Sequence, residues 1–207
     1  MTTRTVRASR LAAPLTAILA CSAVIFSGVG TLALAASDAD SSMVAVQKPI
    51  DLDGLFAKLK LAPDPASAAL TSHAIEQRWA HSGSDTADLL MQRANSALSA
   101  GDRALAIELL DRVTVLEPDW VEGWNRRATV FFLEDDLSRS AADIREVLAR
   151  EPRHFGALMG LGGILERIGD QRKALQVYEL VLAVYPLLPA AQKSVDRLKL
   201  KFGDMPI

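Results

Sequence analysis

The sequence predicts an all-α fold, a solenoid of repeated helix-turn-helix units with a capping element at each end. Three observations carry that prediction. Strand formers are sparse and aromatic residues make up 5% of the 207-residue chain, while Ala, Leu, Glu, Arg and Asp dominate. Pro118, Pro152 and Pro186 lie 34 residues apart, and Val113, Val147 and Val181 keep the same step, as do Asp102, Asp136 and Asp170. Apolar residues between those columns recur at helical spacing, with turn residues at matching offsets. A fixed period of a few tens of residues marks a repeat architecture, in which each unit buries its apolar face against its neighbours.

Residues 1–36 carry Arg4, Arg7 and Arg10 as their only charges. Ala33-Leu34-Ala35 offers an A-x-A cleavage site, and the acidic run Ser37-Asp38-Ala39-Asp40 follows. A basic start, an apolar run and a small-residue site describe a secretory signal peptide. No Arg-Arg pair is present, which favours general export over the twin-arginine route. The run also suffices for an uncleaved N-terminal anchor, since about 20 apolar residues span a bilayer. Pro14, Ser22, Ser27, Gly28 and Gly30 weaken that alternative. A lipidated Cys21 is disfavoured, because Ser22 to Gly30 stays apolar. Each reading carries the body of the chain across a membrane.

The net charge of −2 includes +3 from the leader, so the chain from residue 37 onward carries −5. That balance argues against nucleic acid, which needs a basic footprint. Cys21 is the single cysteine, so the chain beyond the leader is held by packing and not by disulfides. Residues 37–49 are small and polar, and read as a flexible tether.

Residues 50–86 read as a degenerate repeat that caps the stack at its amino-terminal end. Phe56, Leu59 and Trp79 fall in register with the later units, Pro63, Asp64 and Pro65 break two helices apart, and Ser84 stands in the proline column. Three fuller units follow, at 87–120, 121–154 and 155–188. Their first helices end at Gly101, Asp135 and Gly169, residue types that tolerate φ > 0. Asp102, Asp136 and Asp170 come next, placed to cap each second helix. The prolines close each unit, because a helix does not continue comfortably through them. Ala94, Ala128 and Gly162 are small enough for close helix approach. Pro189 opens a last helix over 189–202, with Val195, Leu198 and Phe202 on its apolar side and Lys193, Arg197, Lys199 and Lys201 outside, a solvated cap. Residues 203–207 form a tail.

These columns resemble the tetratricopeptide repeat, whose pattern W-x2-L-G-x2-Y, A-x3-F and P spans 34 residues. Unit two supplies Trp124, Ala128 and Phe131, and unit three Leu158, Leu161, Gly162, Leu165, Ala174 and Tyr178. Unit one is plainer, with Leu90, Ala94, Ala97, Ala106 and Leu110. The resemblance implies a right-handed superhelix whose first helices line a concave groove for extended peptides or partner helices. Carried onto this chain, the groove positions include Asp88, Met91, Asn95, Glu122, Asn125, Arg126, Thr129 and Phe132. The third unit adds Gly156, Met159, Gly160, Gly163 and Glu166. Some family members grip a C-terminal carboxylate with Lys, Asn and Arg. Asn95 fits one such position, but Met91, Gly156 and Gly160 stand where basic residues are needed, so that clamp is absent. Leader and repeats together resemble small periplasmic proteins of this family in Gram-negative bacteria. That likeness implies a periplasmic location, or anchoring to the inner membrane facing the periplasm.

No sequence pattern for catalysis stands out: there is no phosphate loop, no G-x-S-x-G and no H-E-x-x-H. Gly160 to Gly163 neither follows a predicted strand nor has dinucleotide-binding spacing. His73, His81 and His154 are too scattered to suggest a metal site, and the first two read as a surface pair. Asp135 and Asp136 read as turn and cap, Trp124 as a core residue with Trp120 opening the same helix. The expected function is a non-enzymatic scaffold or adaptor that binds another cell-envelope protein through the groove, without cofactor. The alternatives are an accessory subunit of a peptidoglycan or polysaccharide enzyme, and a glycan or small-molecule binder. Membrane contact is expected only through the leader. Gly156, Gly160 and Gly163 share one helical face directed at the groove, bare enough to admit a partner's backbone or the chain's own tether.

Overall fold

The computed structural model describes residues 51–202; the leader, the tether and the tail lie outside the described residues. Among those residues the regular structure is all helix. Helices α1 (Leu52–Lys60) and α2 (Pro65–Trp79) precede three antiparallel pairs. The pairs are α3 (Asp85–Ser99) with α4 (Arg103–Leu116), α5 (Val121–Leu133) with α6 (Leu137–Arg150), and α7 (Phe155–Arg167) with α8 (Gln171–Val184). Helix α9 (Pro189–Phe202) packs on α8. No helix among the described residues is long and apolar enough to cross a membrane.

The turn chemistry repeats as the sequence predicts. Gly101, Asp135 and Gly169 have φ of 81°, 61° and 85°. The side chains of Asp102, Asp136 and Asp170 then accept the N–H groups of Leu105, Arg139 and Lys173 at 3.0, 2.9 and 3.2 Å. Each bond satisfies one of the orphan donors of a helix start, worth about 1 kcal/mol. The paired helices close on small residues. Ala94, Ala128 and Gly162 are buried, and a Cβ added to Gly162 would lie 2.3 Å from Cε1 of Tyr178. The tyrosine ring fills the space that the glycine vacates.

Helices α1 and α2 depart from the capping role expected of residues 50–86. The core of α3 and α4, built on Ala87, Met91, Leu110 and Val113, takes no residue from either of them. Leu55, Phe56, Leu59, Ala68, Ile75 and Trp79 instead share one core with Phe155, Leu158, Val181, Tyr185 and Ala191. The helix pair is a strap, laid back along the stack from its third unit toward its first. It follows the edge where α5 and α7 begin and α8 ends. Trp79 meets Trp120 and His154, the residues that precede those two helices, and the Ser72 hydroxyl faces that of Tyr185 at 3.5 Å. The reason lies in the third unit, which presents Phe155 and Tyr185 where the second has Val121 and Glu151. Those rings give the apolar stripe of α2 a mate. Leu89, in register with the buried Gly123 and Ala157, stays 47% exposed at the uncovered end of the stack.

Candidate functional site

The site grows from the end of α2. The indole N–H of Trp120 donates to the carbonyl of Trp79 at 2.6 Å, which fixes the exit of the strap. The ring of Trp79 stacks on that of His154, with centroids 4.0 Å apart and planes 15° apart. His154 is 2% exposed, and its Nδ1 accepts the N–H of Ala157 at 3.0 Å, capping α7. A nitrogen that accepts carries no proton, so the proton of the neutral ring sits on Nε2. That Nε2 lies 3.4 Å from Oε2 of Glu122, too far for a good bond, and has no hydrogen-bond partner among the described residues.

Glu122 reaches the same place from the first turn of α5. Its side chain is 14% exposed. Oε1 accepts from Nη2 of Arg126 at 2.9 Å, and Oε2 from Nδ2 of Asn125 at 3.0 Å. Burial pushes the Glu122 carboxyl upward. The His154 N–H aimed at it, the Arg126 charge and the Asn125 amide more than offset burial and hold it below its ordinary value. Nε of Arg126 is buried without a partner among the described residues, as Nε2 of His154 is.

A cleft of about 430 Å³ opens between α2 and the starts of the inner helices. Glu76, Gln77, Trp79 and Ala80 form its α2 wall; Met91, Asn95, Asn125, Arg126 and Gly156 line it from α3, α5 and α7. A second cleft of about 130 Å³ shares Asn125 and Gly156 and adds Thr129, Phe132 and Gly160. The two therefore adjoin along the inner face.

Nine of the thirteen groove positions predicted from the sequence thus line two adjoining clefts. Asp88, Met159, Gly163 and Glu166 line neither. Met159 is half-buried against both the strap core and the α9 core. The glycine face is turned to the chain's own side chains. A Cβ on Gly163 would rest 3.6 Å from Phe132, one on Gly160 3.2 Å from Ile144, and one on Gly156 3.4 Å from His154. Sequence reasoning missed the α2 wall and His154, and the signal was available. His154 occupies the column of Trp120, one residue before a helix start, where a polar side chain can cap. It also missed Arg127, whose guanidinium donates twice to Asp143, both at 2.8 Å, and to Asp111 and Thr114 at 2.8 and 2.9 Å. Those bonds push its pKa further up and tie α5 to α4 and α6. Among the described residues, no group of three acidic, histidine or cysteine side chains gathers as a metal site would.

Comparison with known proteins agrees with this architecture. Residues 91–143 and 134–189 match the family model of the tetratricopeptide repeat. A TPR repeat-containing protein of Rhizobium etli is 41% identical over 152 residues, 73% of this chain and 74% of its own length. The first TPR of Spaghetti (RPAP3), solved bound to the HSP90 peptide SRMEEVD, matches with a TM-score of 0.55 and 18% identity, covering 58% of this chain and 96% of its own. MamA matches with a TM-score of 0.53 and 19% identity over 68% of this chain and 80% of its own. At those identities the solved structures speak for the fold. With the Rhizobium relative this close over most of both chains, the chain belongs to the tetratricopeptide repeat family, a fold suited to protein–protein interaction.

Proposed function

We propose that the chain is an exported, non-enzymatic scaffold that holds a segment of another cell-envelope protein against its inner helices. The observation that carries this reading is the pair of adjoining clefts, with Asn95, Asn125 and Thr129 facing solvent between apolar Met91 and Phe132. Amides beside apolar side chains suit a polypeptide, which offers both main-chain polar groups and side chains. The Spaghetti (RPAP3) domain of the same fold was solved with a peptide bound. The arginine-led apolar leader supports export, and the acidic body supports a protein partner over nucleic acid.

Photo-crosslinkers placed at Asn95 and Thr129 on the inner face, and at the exposed Glu108 on the outer helix α4, test it in intact cells. The expected result is one envelope protein crosslinked from both inner positions and not from Glu108. Equal capture from Glu108 would remove the inner face from the reading. Capture confined to cytosolic proteins would remove export.

A further inference from the structure

The repeat stack has a covered end and an open one. Helix α9 closes the third unit, whereas α1 and α2 run along the edge as a strap and leave the free side of α3 without a covering helix among the described residues. Repeat arrays ordinarily finish in a polar capping face. This end stays apolar. Leu89 of α3 is 47% exposed, and Leu105 and Leu116 of α4 are 42% and 47% exposed. Both α4 leucines lie across that helix from Asp111 and Thr114, which face Arg127 of α5, so they turn toward the same open end.

The column of Leu89 limits what can cover it. The second and third units place Gly123 and Ala157 there, both buried beneath the preceding helix. A Cβ on Gly123 would already lie 2.9 Å from Cγ1 of Val113 on α4. Leucine is far too large for that spacing, so a further repeat stacked in the internal way is excluded. The open end suits a helix held off by side-chain contact, at the usual interaxial distance of about 8–10 Å.

The charges beside Leu89 specify that helix. Asp85 stands one turn before Leu89 and Arg93 one turn after it, on the same face. Both are exposed, and neither side chain has a hydrogen bond or ion pair among the described residues. Arg93 occupies the column of Arg127, which reaches back to Asp111 and Thr114 of the preceding helix. A helix that matches this face must set a cation against Asp85, an apolar residue against Leu89 and a carboxylate against Arg93. Helix α3 itself, run antiparallel, carries those three residues at that spacing. A parallel copy would set like charges against each other.

We infer that the open end of the stack is a twofold interface with a second copy of this chain. The two α3 helices cross antiparallel, with Leu89 against Leu89 and Asp85 of each copy against Arg93 of the other. Such a contact uses the same patch on both copies, so it closes at a dimer. It leaves Met91 and Asn95, which line the larger cleft, free in both copies.

Sedimentation of the full chain over a concentration series should show a monomer–dimer equilibrium. Arg93→Asp and Asp85→Arg each turn two attractive pairs into two repulsive ones, and each should weaken the dimer about tenfold. Combining the two substitutions restores both pairs and should recover the wild-type dimer. In a Cys21→Ser background, Leu89→Cys should form an intermolecular disulfide on mild oxidation, because both copies place residue 89 at the twofold axis. Gln176→Cys, exposed on α8, should not. The crosslink is read in a chain whose charges are unchanged, so it decides independently of how the reversed variants fold. A monomer at every concentration overturns the inference, as does a dimer indifferent to both single reversals. A double variant no better than the singles, or equal crosslinking from Gln176→Cys, overturns the antiparallel α3 contact.

Discussion

Two neighbouring glycines of α7 show how differently one residue type is used. Gly162 faces the Tyr178 ring, and a Cβ would lie 2.3 Å from it. That contact cannot relax cheaply, because the ring is buried at 3% exposure and its hydroxyl donates to Glu166 at 2.8 Å. Gly163 faces Phe132 at an ordinary contact distance of 3.6 Å. Gly162→Ala should therefore destabilise by about 1–3 kcal/mol through overpacking. Gly163→Ala should stabilise by up to about 1 kcal/mol through helix propensity. Urea midpoints of the two variants, at unchanged m, check both signs. Glu122 makes a second prediction. Its carboxyl is held below the ordinary value in the folded state, so its contribution is present above the unfolded value and is lost as pH falls through the folded one. Glu122→Gln should cost about 1–2 kcal/mol at pH 7, and that deficit should shrink in acid below the usual carboxylate range. A deficit that is constant from neutral to acid pH would refute the electrostatic account of this residue.

At the scale of elements, the three repeats were legible in the sequence because each boundary has its own local chemistry. A positive φ at Gly101, Asp135 and Gly169, an aspartate cap and a closing proline each act through contacts local in sequence. The strap was not legible in the same way. Helical periodicity shows that Ala68, Thr71, Ser72, Ile75 and Trp79 form a stripe to be buried, but it does not name the surface that buries it. The only hints were distant, the aromatic residues Phe155 and Tyr185 in columns held elsewhere by Val121 and Glu151. For the site the division is similar. The inner face followed from the repeat register, whereas its α2 wall followed from a long-range contact. The end of α2 is its anchor, so Trp79→Ala should cost about 3–5 kcal/mol, the penalty of a large core truncation. His154 separates two roles at the same point. His154→Asn retains a side chain able to cap α7, while His154→Ala loses cap and stack together. Thermal denaturation should place Asn between wild type and Ala, about 1 kcal/mol above Ala. Equal losses would mean that the cap contributes nothing.

The strap changes how the whole molecule should hold together. A solenoid is nearly one-dimensional: each unit touches only its neighbours, and the ends fray first. Here the chain closes on itself. Arg153 donates to Asp53, 100 residues away, at 2.7 Å, and lies over the Phe56 ring at 4.2 Å. Ser72 meets Tyr185 across 113 residues. The first two helices therefore stabilise the last full repeat, and the junction between them walls the larger cleft. Trp79→Ala should transmit its loss accordingly. Amide hydrogen exchange in the variant should accelerate in α7 and α8, far downstream in sequence, while the middle of α4 stays near its wild-type protection. Those distant amides share the core that Trp79 completes. Exchange rising first in α3 and α4 would instead mean that residues 51–79 cap the stack from its end. Uniform acceleration through every helix would mean that the chain opens only globally. Selective loss in α7 and α8 is the signature of a repeat stack tied into a ring by its own N-terminal helices.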